Sequence, residues 1–566
     1  MRTCLLALII LAISACAPAS PSSSATSAPS AGVSQADRTL IAAVRVEPNS
    51  LAERPVLQSA AFAGFALLKR LPNAELTILD DKLIRHPYLA EAQPQLDSDT
   101  WRVFPDGQME TTWKLKPGIV WQDGTTFSAE DFVFAWRIYG APEFAAASSR
   151  LARSVTNVTA PDDRTLIIRY GKLYPPADDL TGTDGFAPLP RQILEVPLQQ
   201  SDPNTFAALP YWTREYIGLG PYRLTRWEPG SFIEAAAFDR HVLGAPKIGR
   251  VKVMFVADGS TAMSYILAGE VHLLGDTAIV LEQAATLKDE WSRTGGGFLQ
   301  YRASQWRFAS FQLRPELVSP RAILDLRVRK ALAHSIDKQA INDSIYRGAM
   351  MPSDFIVSPL GQWGPAVQDA VVKYPFDLRR SEQLMNEAGF NKGTDGAFTS
   401  PVEGRFTAEL KTTVDRADEM AVMASEWRKA GFAIQDAVLP AALSTDPESR
   451  ATFPAIFASI TPQGAVESFT TSQIPRAENQ WKGGANRGAW SNPEYDRLAD
   501  AFSTTLDPKE RSAQIAQMAK IFTEDVAMIG LLFLAQPYAY VAALHGVLPV
   551  APEGDITWNV PEWEFR

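Results

Sequence analysis

Five histidines, His86, His241, His272, His334 and His545, are the side chains best suited to metal binding or acid–base work. They are scattered, and none forms a paired metal spacing such as H-E-x-x-H, so each reads as a single core or surface residue. Ser335-Ile336-Asp337-Lys338 fits S-x-x-K, in which one helical turn sets a lysine beside the serine nucleophile of an acyl-transfer enzyme. The partner motifs S-D-N and K-T-G are missing, and Lys411-Thr412-Thr413 is only a near miss. There is no G-x-S-x-G elbow, phosphate loop or dinucleotide fingerprint, and Gly295-Gly296-Gly297 reads as a turn. Both cysteines, Cys4 and Cys16, precede the body of the chain, which therefore has no disulfide, no Cys-based zinc site and no thiol nucleophile. No cofactor is expected.

The 566 residues are 46% hydrophobic and 21% charged, which is ordinary globular composition and excludes a disordered, collagen-like or coiled-coil chain. A net charge of −10, with no basic stripe, argues against nucleic acid as a partner.

Met1-Arg2-Thr3 is a short positive start, and Leu5 to Ile13 is an apolar run well below the ~20 residues of a membrane span. Residues 1–15 therefore read as a signal peptide. Ile13-Ser14-Ala15-Cys16 looks like a bacterial lipobox, which makes Cys16 the expected lipidation site and the cell envelope, outside the cytoplasm, the expected location. Residues 16–37, rich in Ser, Ala and Pro, cannot repay their ordering entropy and read as a flexible tether.

Beyond the tether, short strands and helices alternate. Trp101–Phe104, a Pro105-Asp106-Gly107 turn and the alternation of Met109, Thr111, Trp113 and Leu115 predict a hairpin with one wet face. Ser128-Ala129-Glu130-Asp131 resembles a capping box ahead of a helix. Residues 163–170 read as a strand, and Gly220 to Phe238 as two strands around Glu228-Pro229-Gly230. Asp325, Asp377, Asn492 and Asp507 are placed to cap helices carrying Val328 to Ile336, Leu378 to Ala388, Tyr495 to Phe502 and Ile515 to Phe522.

Several of these stretches together resemble the extracellular solute-binding proteins of the oligopeptide/dipeptide class (family 5), which serve ABC importers. The resemblance lies in Trp113-Lys114-Leu115-Lys116-Pro117-Gly118 with Trp121 to Asp131, in Gly218-Leu219-Gly220-Pro221-Tyr222, and in Leu267-Ala268-Gly269-Glu270-Val271. It continues through Asp325 to Leu332 with Ile336-Asp337-Lys338, Glu387-Ala388-Gly389 and Asn492-Pro493-Glu494-Tyr495-Asp496. These residues read as scaffold: they pack hairpins, shape turns and start helices.

The resemblance implies an α/β fold, a periplasmic-binding-protein-like clamshell of class II type, with two lobes and an inserted third subdomain. The expected division is lobe I at 38–60, 156–295 and 531–566, the inserted subdomain at 61–155, and lobe II at 296–530. It implies capture of a peptide or peptide-like solute between the lobes, without chemical conversion, and delivery to membrane permease subunits by a monomer. Where peptide binders of the family place an acid for the ligand's α-ammonium, this chain has Phe457 to Gly464, with no acid. Either Glu47 or Glu467 substitutes, or the ligand lacks a free ammonium. The contacts implied by position are Glu47, Asn49, Gln463 and Asn486 as orienting polar groups, and Trp306 and Trp363 as flat apolar walls. The alternatives are the same clamshell used as a sensor or chaperone without import, and a secreted hydrolase at Ser335 and Lys338.

Overall fold

The computed structural model describes residues 38–54, 65–144, 149–181, 185–275 and 277–566. The expected signal segment, Cys16 and the tether lie outside the described residues. Two long strands organise the chain, Gly297–Phe311 and Met528–Val541. They pair antiparallel with each other from Gly297 opposite Val541 to Ser310 opposite Met528. Each also has further partners, and along the second strand these change lobe. Leu532 and Phe533 pair with Pro352 and Met351, whereas Ala539 and Tyr540 pair with Leu274 and Leu273. The first strand takes on Ile456–Pro462 only from Gln305 onward. One 11-stranded sheet therefore runs through the molecule, and this ladder is its middle.

On one side of the ladder lies lobe I. Leu273–Leu274 is followed in the sheet by Thr39–Val44, Arg250–Phe255, Phe232–Ala237 and Tyr222–Glu228. On the other side lies lobe II, with Ile456–Pro462, Thr407–Thr413 and Ala433–Leu439. A second sheet of four strands joins Trp101–Val103, Met109–Lys114, Thr165–Tyr170 and Val155–Asp162. The fold is the two-lobe α/β clamshell. Its division differs from expectation in detail. A boundary at 155 would separate this second sheet from its last two strands. A boundary at 531 would fall inside the strand Met528–Val541, which pairs with strands of both lobes.

The ladder contains two irregularities. Ala303 pairs with Ala535 and Gln305 with Leu534, leaving Ser304 as an extra residue on the first strand. Arg307 pairs with Leu532 and Phe308 with Gly530, leaving Leu531 as an extra residue on the second.

Local sequence rules account for most helices. The Asp325, Asp377, Asn492 and Asp507 side chains accept the free N–H groups at the starts of helices Leu326–His334, Leu378–Glu387, Pro493–Thr504 and Pro508–Glu524. The first of these stops before Ile336, and Asp337 caps a new helix, Lys338–Tyr346. The expected capping box at Ser128 is replaced. The helix Glu130–Tyr139 has Ala129 at its N-cap, and Asp131 accepts from the Ser128 N–H (2.9 Å), the Arg191 N–H (3.2 Å) and Trp121 Nε1 (3.3 Å).

The motifs that carry the resemblance hold one another. Gln122, nearly fully buried, donates from Nε2 to the Gly220 and Tyr222 carbonyls at 2.9 Å each, and its Oε1 accepts from the Gly218 N–H at 3.0 Å. Arg329 is also buried, and it donates to the carbonyls of Ile323, Leu324, Asp525 and Val526. A guanidinium has five donors, so one such residue pins a helix start to a distant turn.

Candidate binding cleft

Strands Thr39–Val44 and Arg250–Phe255 run parallel, and both end on the side of the linking ladder. In lobe II, Thr407–Thr413 runs parallel to Ala433–Leu439 and to Ile456–Pro462, and these too end toward the ladder. The carboxyl ends of the strands in both lobes thus face the crevice, where open α/β sheets bind ligands.

At the lobe I edge, the chain leaves Val44 and turns through Glu47 and Asn49. Both Glu47 carboxylate oxygens are occupied, one accepting from Trp227 Nε1 at 2.6 Å and the other from the Gly230 N–H at 2.8 Å. Asn49 is exposed, and both residues line an open pocket of about 400 Å³ with Arg214, Trp227 and Pro229.

At the lobe II edge, Gln463 follows the strand Ile456–Pro462 and reaches the other lobe. Its Nε2 donates to the Pro552 carbonyl at 2.7 Å, and its Oε1 is buried without a partner. Leu506, between two lobe II helices, packs against the lobe I core. Arg511 of lobe II lies within electrostatic reach of Asp178 and Arg150. Burial pulls its pKa down to about 10, with Arg150 reinforcing and Asp178 opposing. Burial pushes the neighbouring Asp179 up to about 6, opposed by Arg85 at 2.6 Å and reinforced by Asp178 and Glu553.

The other expected contacts separate into two groups. Trp363 is half-buried at the start of helix Gly364–Ala370, with its ring against Phe502 and under the Arg511 guanidinium at 5.1 Å. The expectation of a flat wall at Trp306 is corrected. Its side chain is fully buried, stacked on Phe308 with ring centroids 4.8 Å apart and edge-on to Phe469. Asn486 is corrected likewise. It is fully buried and donates to the carbonyls of Phe469, Thr470 and Trp490, so it ties down its own loop. Glu467, the other candidate acid, is exposed on a short turn.

Sequence reasoning missed a group of arginines at the lobe II edge. Arg416 ends the short 3-10 turn Val414–Arg416 that follows the strand Thr407–Thr413. Its side chain is almost fully enclosed, paired with Asp415 at 3.0 Å and donating to the Thr413 hydroxyl. Arg487 donates to the Ser459 hydroxyl at 2.9 Å. Arg307 faces Glu419 at 3.2 Å. Burial draws Arg487 down to about 9 and Arg416 to about 10, and Arg450 pushes both the same way. No local pattern marks these residues. Only the strand topology brings them together.

Ser335 and Lys338 do not form a nucleophile and its base. The Ser335 hydroxyl is fully buried and donates to the Ala331 and Leu332 carbonyls, while the Lys338 ammonium pairs with Asp354. Among the described residues, no group of three or more His, Cys, Asp or Glu side chains is placed to hold a metal ion, and no helix is long and apolar enough to cross a membrane.

The family model for bacterial extracellular solute-binding proteins, family 5 (middle region), matches residues 91–476. Among curated proteins, the chain is 23% identical over 497 residues to the oligopeptide-binding protein AppA of Bacillus subtilis (strain 168), covering 86% of this chain and 85% of the relative. Among solved structures, it is similar to AppA from Bacillus subtilis in complex with a nonapeptide (TM-score 0.65, 19% identity, 94% of this chain and 99% of that one). It is also similar to NikA from Brucella suis in complex with Fe(III)-EDTA (TM-score 0.73, 16% identity, 94% and 100%).

Proposed function

Because the chain belongs to the bacterial extracellular solute-binding proteins of family 5, we propose that it is the receptor of an ABC importer, capturing a peptide or peptide-like solute between its lobes. The carrying observation is the central ladder, where two long strands run from one lobe into the other and the second changes partners between Phe533 and Ala539. Such a joint lets the lobes move as bodies, and a solute that contacts both favours the closed arrangement by its differential affinity. Oligopeptide-binding relatives support the peptide class. The metal-chelate complex of a structural neighbour keeps the wider class of peptide-like solutes in view.

In this reading the solute is released unchanged to membrane permease subunits, and the protein works as a monomer. Residues 1–15 direct export, Cys16 carries the lipid anchor and residues 16–37 span the distance to the body, which works outside the cytoplasm. Glu47, Asn49, Trp363 and Gln463 are the cleft contacts we retain. Glu47 already accepts two bonds within lobe I, and Gln463 carries no charge, so recognition of a free ammonium is not the organising contact.

Native mass spectrometry of freshly purified protein, together with small-angle scattering before and after ligand stripping, tests this reading. A co-purifying peptide series and a smaller radius of gyration in the loaded state are expected. A chemically converted product, or no bound solute and no compaction across a broad nutrient library, overturns it.

A further inference from the structure

The C-terminal segment of lobe I carries a tight turn where the lobes meet. The Ala551 carbonyl accepts from the Gly554 N–H at 2.9 Å, and Pro552 takes the second position, where its fixed φ suits a turn. Two contacts from outside lobe I converge on it. Gln463 of lobe II donates to the Pro552 carbonyl at 2.7 Å, and Arg302 of the first linking strand donates to the Gly554 carbonyl at 3.4 Å. The same guanidinium donates at 3.1 Å to Gln536, which faces Arg302 in the ladder. The turn therefore touches both the closing lobe and the joint.

Asp555, the next residue, grips the turn from behind. It accepts from Arg70 Nε at 2.7 Å and lies 3.5 Å from the Lys69 ammonium. Lys69 also pairs with Glu53 at 2.7 Å, and Arg70 with Glu75. Glu53, Lys69, Arg70 and Glu75 are all buried. Three carboxyl groups thus meet two cations. Burial pushes the Glu75 carboxyl well above its ordinary range, opposed by Arg70 and Lys69 and reinforced by Glu53. Against burial, Lys69, Arg70 and Arg302 hold the Asp555 carboxyl below its ordinary value. With a proton on Glu75 the group is neutral. Such a network is costly to desolvate, and apolar side chains would join these segments as firmly. What it supplies is direction, because a guanidinium bonds a carboxylate along fixed lines.

We propose that Asp555 is a positioning residue for solute capture: gripped by Lys69 and Arg70, it holds the turn 551–554 as the seat on which Gln463 lands when the lobes close. This rests on the reading of the chain as a solute receptor and deepens it. Arg302 ties the same seat to the linking ladder two residues before the surplus Ser304, so a displaced turn disturbs the joint as well as the contact. The effect of Asp555 on the solute is indirect, through Gln463 and Arg302.

Hydrogen exchange read by mass spectrometry on the full-length protein, as purified, tests this. Asp555→Asn should speed exchange over residues 551–558 about tenfold, the effect of one charge-assisted bond. The faster exchange should also cross the crevice to residues 463–466, where the Ile356 carbonyl holds the Gly464 N–H. Asp555→Glu should restore part of the protection at both places. Glu75→Gln replaces one neutral side chain with another and should leave both unchanged. An Asp555 that serves architecture alone would loosen 67–75 and 551–558 and leave 463–466 as in the parent. That result, or a loss of protection in Glu75→Gln equal to that in Asp555→Asn, overturns the proposal. Gln463→Ala supplies the reciprocal reading even where Asp555→Asn does not fold. Faster exchange at 551–554 with 67–75 still protected supports the seat, and unchanged exchange there overturns it. Small-angle scattering with a random mixture of di- to hexapeptides reads closure separately. Compaction without coupling between the two segments overturns the seat alone, and neither compaction nor coupling overturns it together with the receptor reading.

Discussion

His241 shows how a single buried side chain sets a pH limit on this fold. Its Nδ1 donates to the Gly244 carbonyl (3.2 Å) and its Nε2 lies 2.8 Å from the Tyr88 hydroxyl, so the neutral imidazole has both ring nitrogens satisfied. Burial is the main cause that lowers its pKa from 6.5 to about 4, Lys116 adds to it, and the bond to Gly244 opposes it. Between these values the unfolded chain takes up a proton that the folded chain refuses. The contribution to stability is therefore complete above pH 6.5 and is lost as pH falls toward 4. We expect acidification across that window to cost the parent about 3 kcal/mol more than His241→Gln. Urea unfolding at three pH values reads the difference, and parallel curves for the two proteins contradict it. The corrected residues make the same point about context. Trp306 and Asn486 are chemically fit to hold a ligand, but Phe308, Phe469 and the 469–470 carbonyls already enclose them.

At the scale of elements, the Gly218–Tyr222 segment gains a physical cause. A Cβ on Gly218 would stand 2.0 Å from the Pro72 carbonyl oxygen, and one on Gly220 would stand 2.5 Å from the backbone of residues 71–73. These glycines exist because two chains touch. Gly230, by contrast, has open space and a φ of +72°. Gly218→Ala should therefore cost about 3 kcal/mol by overpacking, and Gly230→Ala only about 1 kcal/mol of backbone strain. Thermal melts that rank them the other way would refute the contact explanation. What the sequence made legible follows the same division. Caps such as Asp377 and Asn492 act within three residues, so their helices could be read directly. The hairpin at 101–114 and the strands around Gly230 follow from alternation and a turn. The four arginines could not be read, because their neighbours come from strand order and not from spacing. The strand Met528–Val541 runs through the expected boundary at 531, because a strand that pairs with both lobes carries no break in its pattern.

For the whole molecule, the balance between open and closed arrangements depends on few contacts. Gln463 bonds across to Pro552, and Leu506 presses on the lobe I core. A neutral hydrogen bond contributes about 1 kcal/mol net, so Gln463→Ala should raise the dissociation constant of a bound solute by about fivefold, mostly through faster release. Stopped-flow displacement with the co-purified solute measures this, and an unchanged release rate would remove Gln463 from the closure. The two surplus residues of the ladder, Ser304 on one strand and Leu531 on the other, carry one last consequence. Each shifts the count of its own strand by one, and the two shifts cancel. Beyond the pair, inward side chains are again opposite inward side chains, although the ribbon has been wrung between them. A deletion of Ser304 alone would leave the count odd and turn one half of the molecule inside out with respect to the other. Removing Ser304 and Leu531 together would restore parity but straighten the ribbon, giving a protein that folds and has lost its pivot.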